Sequence, residues 1–548
     1  MTTPLVRSAA AGVYAAAAAC VSHAAEPAAQ APYTYVHHAV STDVPAAQFA
    51  FDRGLTLVFA YDGEEAERAF REAARLDPSL AMAWWGIALA VGPDINSSPE
   101  AKSTHIAAES IARAKSLAEA RTTPEEREYI VALSARCSSD PKPDFDHLAI
   151  GYREAMRALV HAHPDDADAA ALYAESIMDL RPWRLWTSDG KPAPDTTELV
   201  ALLESGLSRN PNHIGLLHYY IHAVEASSDP GRALEAAQRL GAQPMEPAAS
   251  HLVHMPAHIY LRTGDWQAAI EANVHSIRHA LDYRLSNDPK QQRACGHCVD
   301  FLSYAYMMQG DEANARRAAH DFQELSHDPS NAIAVLLRFH EWDEMLAFPE
   351  PVEQKASYRN LHTVRGWWHF GRGLAFTAKS RVDRADAELQ RLERETALAP
   401  APASFGEVLD VEHSVEKLDR AYDANSLKIC AAILKARLAE ARGELAQATE
   451  LLREAVHLQD TAPYGEPPSW YYPVRESLGG LLLKRAAYAE AEATFREGLG
   501  LSPQNPRLLL GLAESVRAQG RDGEAARVHE QFTAAWRGGE PAPRPTEM

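Results

Sequence analysis

The sequence predicts an all-α chain, a right-handed superhelical solenoid of stacked helix–turn–helix pairs. Three observations carry this expectation. Small residues, bulky residues and prolines recur in one fixed frame at both ends of the chain. Two successive frames near the C-terminus, starting at Tyr472 and Pro506, are 34 residues apart. Alternating β-branched runs between turns, the mark of strands, are missing.

The N-terminal copy is FDRGLTLVFAYDGEEAERAFREAARLDP, Phe51 to Pro78. With a start at Ala47, Gly54, Ala66, Phe70, Ala73 and Pro78 occupy positions 8, 20, 24, 27 and 32 of a tetratricopeptide repeat. Small residues at two of these slots let antiparallel helices approach. A bulky residue fills the next layer, and a proline stops the second helix. The same slots hold Gly479, Ala491, Phe495, Gly498 and Pro503 in one late copy, and Ala513, Ala525 and Phe532 in the next. Weaker copies start at Ile214, Ser250, Gly296, Gly366 and near Ile429. Breaks rich in Pro, Ser, Gly or Asp fall at 136–146, 186–196, 349–357, 398–404 and 461–469. The stretch 97–210 fits the frame poorly. We expect one continuous superhelix over 25–536, with 537–548 disordered.

Hydrophobic residues make up 46% and charged residues 24% of the 548-residue chain, enough to bury a core. Lys+Arg number 54 against 75 Asp+Glu, a formal net charge of -21. That excess disfavours nucleic acid and anionic membrane surfaces as partners. Residues 1–24 read as a signal peptide: Arg7, then an apolar Ala-rich run from Ala9 to Val21, then Ser22-His23-Ala24 as a cleavage site. The expectation is export, to the periplasm in a bacterium. No stretch reads as a transmembrane helix. Cys295-Gly-His-Cys298 places two thiols close together. A local disulfide or buried thiol pair, metal ligation, and redox exchange are the readings it allows.

Six histidines, His218, His222, His251, His254, His258 and His297, fall in three short segments: GLLHYYIH at 215–222, HLVHMPAH at 251–258 and CGHC at 295–298. In the repeat frame they occupy only positions 2, 5 and 9 of successive first helices. That spacing puts them on one helix face. First helices of such repeats line the concave groove, and neighbours pack about 8–10 Å apart. Imidazoles from adjacent helices can then reach one ion at about 2.0–2.1 Å. Glu225 and Asp300 are the nearby carboxylates, as ligands or as acceptors holding ring tautomers. Pro256 either kinks its helix or sits in its first turn, which breaks strict facial alignment. Trp470, Tyr472 and Arg475, after the rigid Glu466-Pro-Pro, allow two readings: closing one mouth of the groove or, the plainer one, aromatic packing under a loop. The plainer reading of the histidines is a polar groove interior, or a seat for a peptide carboxylate.

Together, His37-His38-Ala-Val-Ser-Thr, AWWGIALAVGPDIN at 83–96, HYYIHAVE, HLVHMPAHIY and EPPSWYYPVRESLG at 466–479 resemble a broad group of exported bacterial tetratricopeptide-repeat proteins. Similar sequences read Gly-Pro-Asn-Ile-Asn where this chain has Asp94, and Tyr-x-x-His-Asn where it has thiols around His297. The resemblance implies the fold and supplies no reaction.

Two functions remain open from sequence. The groove carries a site for a divalent transition metal (copper, iron or zinc), with the six histidines as ligand pool and catalytic residues unassigned. Alternatively the chain is a non-catalytic adaptor that holds a peptide or protein ligand in its groove. Oligomeric state is not legible.

Overall fold

In a computed structural model, the protein is described over residues 33–282, 289–352, 360–401, 409–539 and 544–547. The signal-peptide expectation for 1–24 lies outside them. The described chain is helical, with isolated bridges at Asp94–Ser97 and Trp186–Pro192 as the only β pairing found there. No helix of the described residues is long and apolar enough to cross a membrane.

The fixed frame works through interlocking of one ring with two glycines. A Cβ placed on Gly54 would meet Phe70 at 2.8 Å, and one on Gly86, in the next helix pair, would meet it at 2.3 Å. The late copy repeats this layer: Gly479 and Gly511 hold Phe495 at 2.4 and 2.2 Å. Phe70, Phe495, Ala66 and Ala491 are all fully buried. Each ring thus fills the space that two missing side chains leave, at native packing density.

The middle pairs follow the same plan. Ile214–Glu225 pairs with Leu234–Gly241, and the broken helix Ser250–His254 and Pro256–Thr263 pairs with Trp266–Asp282. Pro289–Gln309 pairs with Glu312–Ser326, Leu361–Ala378 with Val382–Leu398, and Ser414–Ala441 with Leu445–Asp460. Two of these helices outrun the frame. One begins at Pro289 rather than Gly296, and the other at Ser414 rather than near Ile429. The poorly fitting stretch 97–210 is also helical, carrying Ala101–Arg121, Pro124–Ser134, Phe145–Ala162, Ala167–Met178 and Thr196–Arg209. Side-chain caps define its starts: Thr123 and Glu126 form a reciprocal capping box, and Asp144 and Asp166 accept backbone N–H groups.

The apolar core falls into two large clusters, one over Val36–Ile259 and one over Ala257–Phe532, meeting at the Pro256–Thr263 helix. The second half also folds back on the first. A Cβ on Gly264, which adopts φ +79°, would strike the Pro503 carbonyl at 2.1 Å, so only glycine fits that crossing. Arg184 donates to Ser414 (3.3 Å) and the Val411 N–H to Asp146 (2.9 Å). The stretch expected to be disordered departs from that expectation in part. The Arg537 N–H donates to the Gln309 carbonyl (2.8 Å), and Pro545–Glu547 packs on the Arg475–Lys484 helix.

Replacing Gly86 with Ala should cost about 1–3 kcal/mol by overpacking against Phe70. Gly500→Ala, on an exposed helix face with nothing within 4 Å, should instead stabilise by about 0.5–1 kcal/mol. Shifts of denaturant midpoint in opposite directions would check both.

Candidate metal centre

The helix Ile214–Glu225 is buried along its whole length. His213 caps it: its Nδ1 accepts from the Leu216 N–H (3.2 Å) and its Nε2–H donates to Asp168 (2.9 Å). Inside the helix, His218, His222 and Glu225 share one face. Pro256 does break its helix, at Met255, and leads the second segment from its first turn. The backbone at Met255 stays right-handed, so His251, His254 and His258 still arrive on one side. His297 comes from the Pro289–Gln309 helix.

All six predicted histidines meet. Ligand atoms of His218, His222 and His251 lie within 4.8 Å of one another, as do those of His254, His258 and His297. A third group within the same limit, His222, Glu225 and His258, joins the two triads. His222 and His258 have ring centroids 5.4 Å apart, and His254 and His297 4.9 Å apart.

Hydrogen bonds fix which nitrogen faces inward. His218 Nδ1–H donates to the Phe59 carbonyl (2.6 Å), and His254 Nδ1–H to Asn273 Oδ1 (2.7 Å). Asn273 spends its own N–H on the Ala269 carbonyl, which orients its oxygen to the ring. Glu225 spans both triads, accepting from His222 Nδ1 (2.7 Å) with one oxygen and from His258 Nδ1 (2.7 Å) with the other. Each anchored ring therefore turns Nε2 toward the interior. His218 and His251 approach Nε2 to Nε2 at 3.1 Å, and His254 and His258 at 2.7 Å. Among the described residues, His222 Nε2 is buried with no hydrogen-bond partner.

The second half supplies Glu466, whose carboxylate pairs with His258 Nδ1 and accepts from the Tyr464 hydroxyl. Burial pulls His258 down, but Glu466 and Glu225 outweigh it and hold the ring up at about 10. Burial, then the charge on Glu225, pushes Glu466 up to about 7. Burial and the charge on His258 push His222 down to about 3 and His297 down to about 4. His218, His251 and His254 are driven well below the ordinary range, first by burial and then by neighbouring histidines. The centre thus has five neutral imidazoles and one imidazolium, whose Nε2–H donates to His254.

A cavity of about 10 Å³, one water's worth, opens against His222 and Glu225, with Trp183 and Tyr464 among its walls. Trp183 is held at φ 59°, with its ring 5.4 Å from His222. Such a conformation in a bulky residue persists only where the surroundings impose it.

Several parts differ from the sequence expectation. Asp300 accepts from Asn331 (2.7 Å) and does not group with the histidines. In the 464–475 loop the plainer packing reading fits Trp470, while Tyr464 and Glu466, given no role in the sequence, reach the centre. Trp470 packs under the loop against Trp367 (5.1 Å), Arg475 pairs with Asp460 (2.6 Å), and the Tyr472 hydroxyl meets Ser477 (3.0 Å). In the sequence Asn273 serves only as a marker of the repeat starting at Ser250; an amide in the frame's bulky slot, fully buried in the structure, is the signal of its role here. Nothing in the sequence marks the Phe59 carbonyl. Cys298 is buried beside Ser276, 3.5 Å from its hydroxyl, and the Cys295 side chain lies outside the described residues. A separate group, His38, Asp166 and Asp168, pins the N-terminal segment: His38 donates to Asp168 (2.8 Å) and Tyr129 to Asp166 (2.6 Å).

No protein-family profile and no curated protein matches the chain. Among solved structures, human IFIT1, as a dimer with m7Gppp-AAAA, is similar with 12% identity and a TM-score of 0.32, covering 90% of this chain and 91% of its own. Yeast Tom70 is similar with 11% identity and a TM-score of 0.30, covering 90% and 92%.

The titration shifts set a pH signature. The five lowered histidines keep their full contribution above the unfolded value near 6.5 and lose it as pH falls, about 1.4 kcal/mol per pH unit for each. The raised His258 works oppositely: its contribution is complete below about 6.5 and is lost as pH rises through about 10. Stability should fall steeply from pH 7 to 5, and more gently from 7 to 10. His222→Phe should flatten the acid limb and Glu466→Gln the alkaline limb, read by denaturant titration at each pH.

Proposed function

We propose that the chain is a metal-binding helical solenoid, exported, in which each histidine triad takes one divalent transition ion. His218, His222 and His251 form one ligand set; His254, His258 and His297 form the other, with Glu225 between them. The observation that carries this reading is His222 Nε2, buried without a hydrogen-bond partner among the described residues, with two further imidazoles within ligand reach. A buried polar nitrogen left unpaired is costly, and an ion relieves it. Imidazole donors suit zinc, copper and iron. Three protein ligands per ion leave a position open for a small molecule, as catalytic sites do. The adjoining cavity admits nothing larger than a water-sized group.

The alternative adaptor reading does not draw on these histidines. His218, His222, His254 and His258 are buried, so an extended peptide would have to lie elsewhere in the solenoid.

Purified protein equilibrated with zinc, copper or ferrous iron and then dialysed should retain about two ions per chain of the preferred metal, given two three-ligand sets. His222→Ala with His254→Ala should lose both without unfolding. Removing Asn273 alone should weaken retention by about 10–100-fold, because the ring it orients is released. Metal-free protein after loading, or a double variant that retains the full complement, would end the proposal. Binding should also expel the proton shared by His254 and His258, about one per chain near pH 8. Calorimetry in buffers of different ionisation enthalpy reads that number directly.

A further inference from the structure

The second half holds a larger cavity that the histidine centre does not use. Its volume is about 610 Å³, in the range of small-molecule sites. Successive first helices line it: Ser330–Arg338, Leu361–Ala378, Ser414–Ala441, Arg475–Lys484 and Pro506–Ala518. It is therefore a segment of the inner groove, walled by Trp342, Leu374 and Tyr471 among its apolar surfaces.

Its charge is opposite to that of the chain. Four cations, Arg338, Arg437, Lys484 and Arg507, face two carboxylates, Glu440 and Glu476. Both carboxylates are already engaged. Glu476 takes both arms of Arg338 (2.5 and 3.2 Å) and an N–H of Asn505 (3.0 Å). Glu440 takes Arg437 (2.9 Å) and Lys484 (2.5 Å). Among the described residues no carboxylate bonds Arg507, although the charge of Glu476 is felt there. It is 3% exposed, donates to the Arg338 carbonyl (2.5 Å), and its Nε has no hydrogen-bond partner among those residues. Burial, then the charge of Arg338, lowers its guanidinium to about 9. His340 at the rim is pushed down to about 3, by burial and then Arg507, and adds no charge. A buried guanidinium beside a second one is stable only if something compensates it.

We propose that this pocket binds a carboxylate on an apolar or aromatic body, with the anion meeting Arg507 at the basic end and the body against Trp342 and Tyr471. An arginine recognises a carboxylate through two parallel N–H bonds, which suits a planar anion. The carboxylate can belong to a free organic acid or to the last residue of a peptide. Both offer the same chemistry.

The test is calorimetric titration of the metal-loaded full chain with four probes: 3-phenylpropionate, its amide, the tripeptide Ala-Ala-Phe, and that tripeptide amidated at its C-terminus. At least one free acid should bind, at least about tenfold more tightly than its amide, because the amide leaves the buried cation uncompensated. Binding of phenylpropionate alone assigns a free acid, and binding of the tripeptide alone assigns a peptide end. Arg507→Met should weaken the acid by at least about tenfold and leave the amide and the metal content unchanged. Where circular dichroism shows that Arg507→Met has lost its fold, Lys484→Met with Arg437→Met decides, with about a tenfold loss expected. Equal binding of acid and amide, full affinity in the folded variants, or no binding of either acid at millimolar concentration would each overturn the proposal.

Discussion

A single carboxylate at the boundary of the two apolar cores sets the arrangement. Glu225 is 1% exposed and accepts from His222 with one oxygen and from His258 with the other. A carboxylate in that position costs several kcal/mol unless it is paired. The imidazolium of His258 meets that need, and Glu466 is drawn to the same ring from the other half. Two histidines on different repeats are thus locked in one orientation by one residue. His218 and His254 are oriented by groups that only accept, the Phe59 carbonyl and the Asn273 amide oxygen.

Repeat packing explains how residues so distant in sequence converge. The Gly–Phe–Gly layers around Phe70 and Phe495 fix the spacing of neighbouring first helices. Equal spacing turns the same slot of successive repeats toward the same place. The fold-back of the second half, seen where Gly264 touches the Pro503 carbonyl, then brings the 461–474 segment over the chamber. An open groove becomes an enclosed one. The inner face therefore divides into a tight nitrogen-lined chamber and a roomier basic pocket, and the chemistry of each differs accordingly.

The sequence made the histidines legible because their slots are tied to helix periodicity, which survives without coordinates. Glu225 was legible for the same reason, one turn past His222. Asp300 was misleading: its slot is right, yet Asn331 satisfies it from the next helix. Glu466 lies 208 residues beyond His258, so no local pattern links them. Asn273 was readable in principle, since an amide in a bulky core slot requires a polar neighbour. The helices from Pro289 and Ser414 overran the frame because packing, rather than repeat period, decides where a helix starts. The docked Pro545–Glu547 turn rests on a contact with the Arg475–Lys484 helix that composition alone does not announce.

The central claim is that the imidazole nitrogens of two histidine triads form metal sites. Anomalous diffraction from crystals of the loaded protein, measured at the absorption edge of the retained metal, addresses it most directly. Two peaks per chain are expected, each bounded by three imidazole nitrogens at about 2.0–2.1 Å. Peaks confined to surface carboxylates, or a chamber without anomalous density in protein shown to carry metal, would contradict the account.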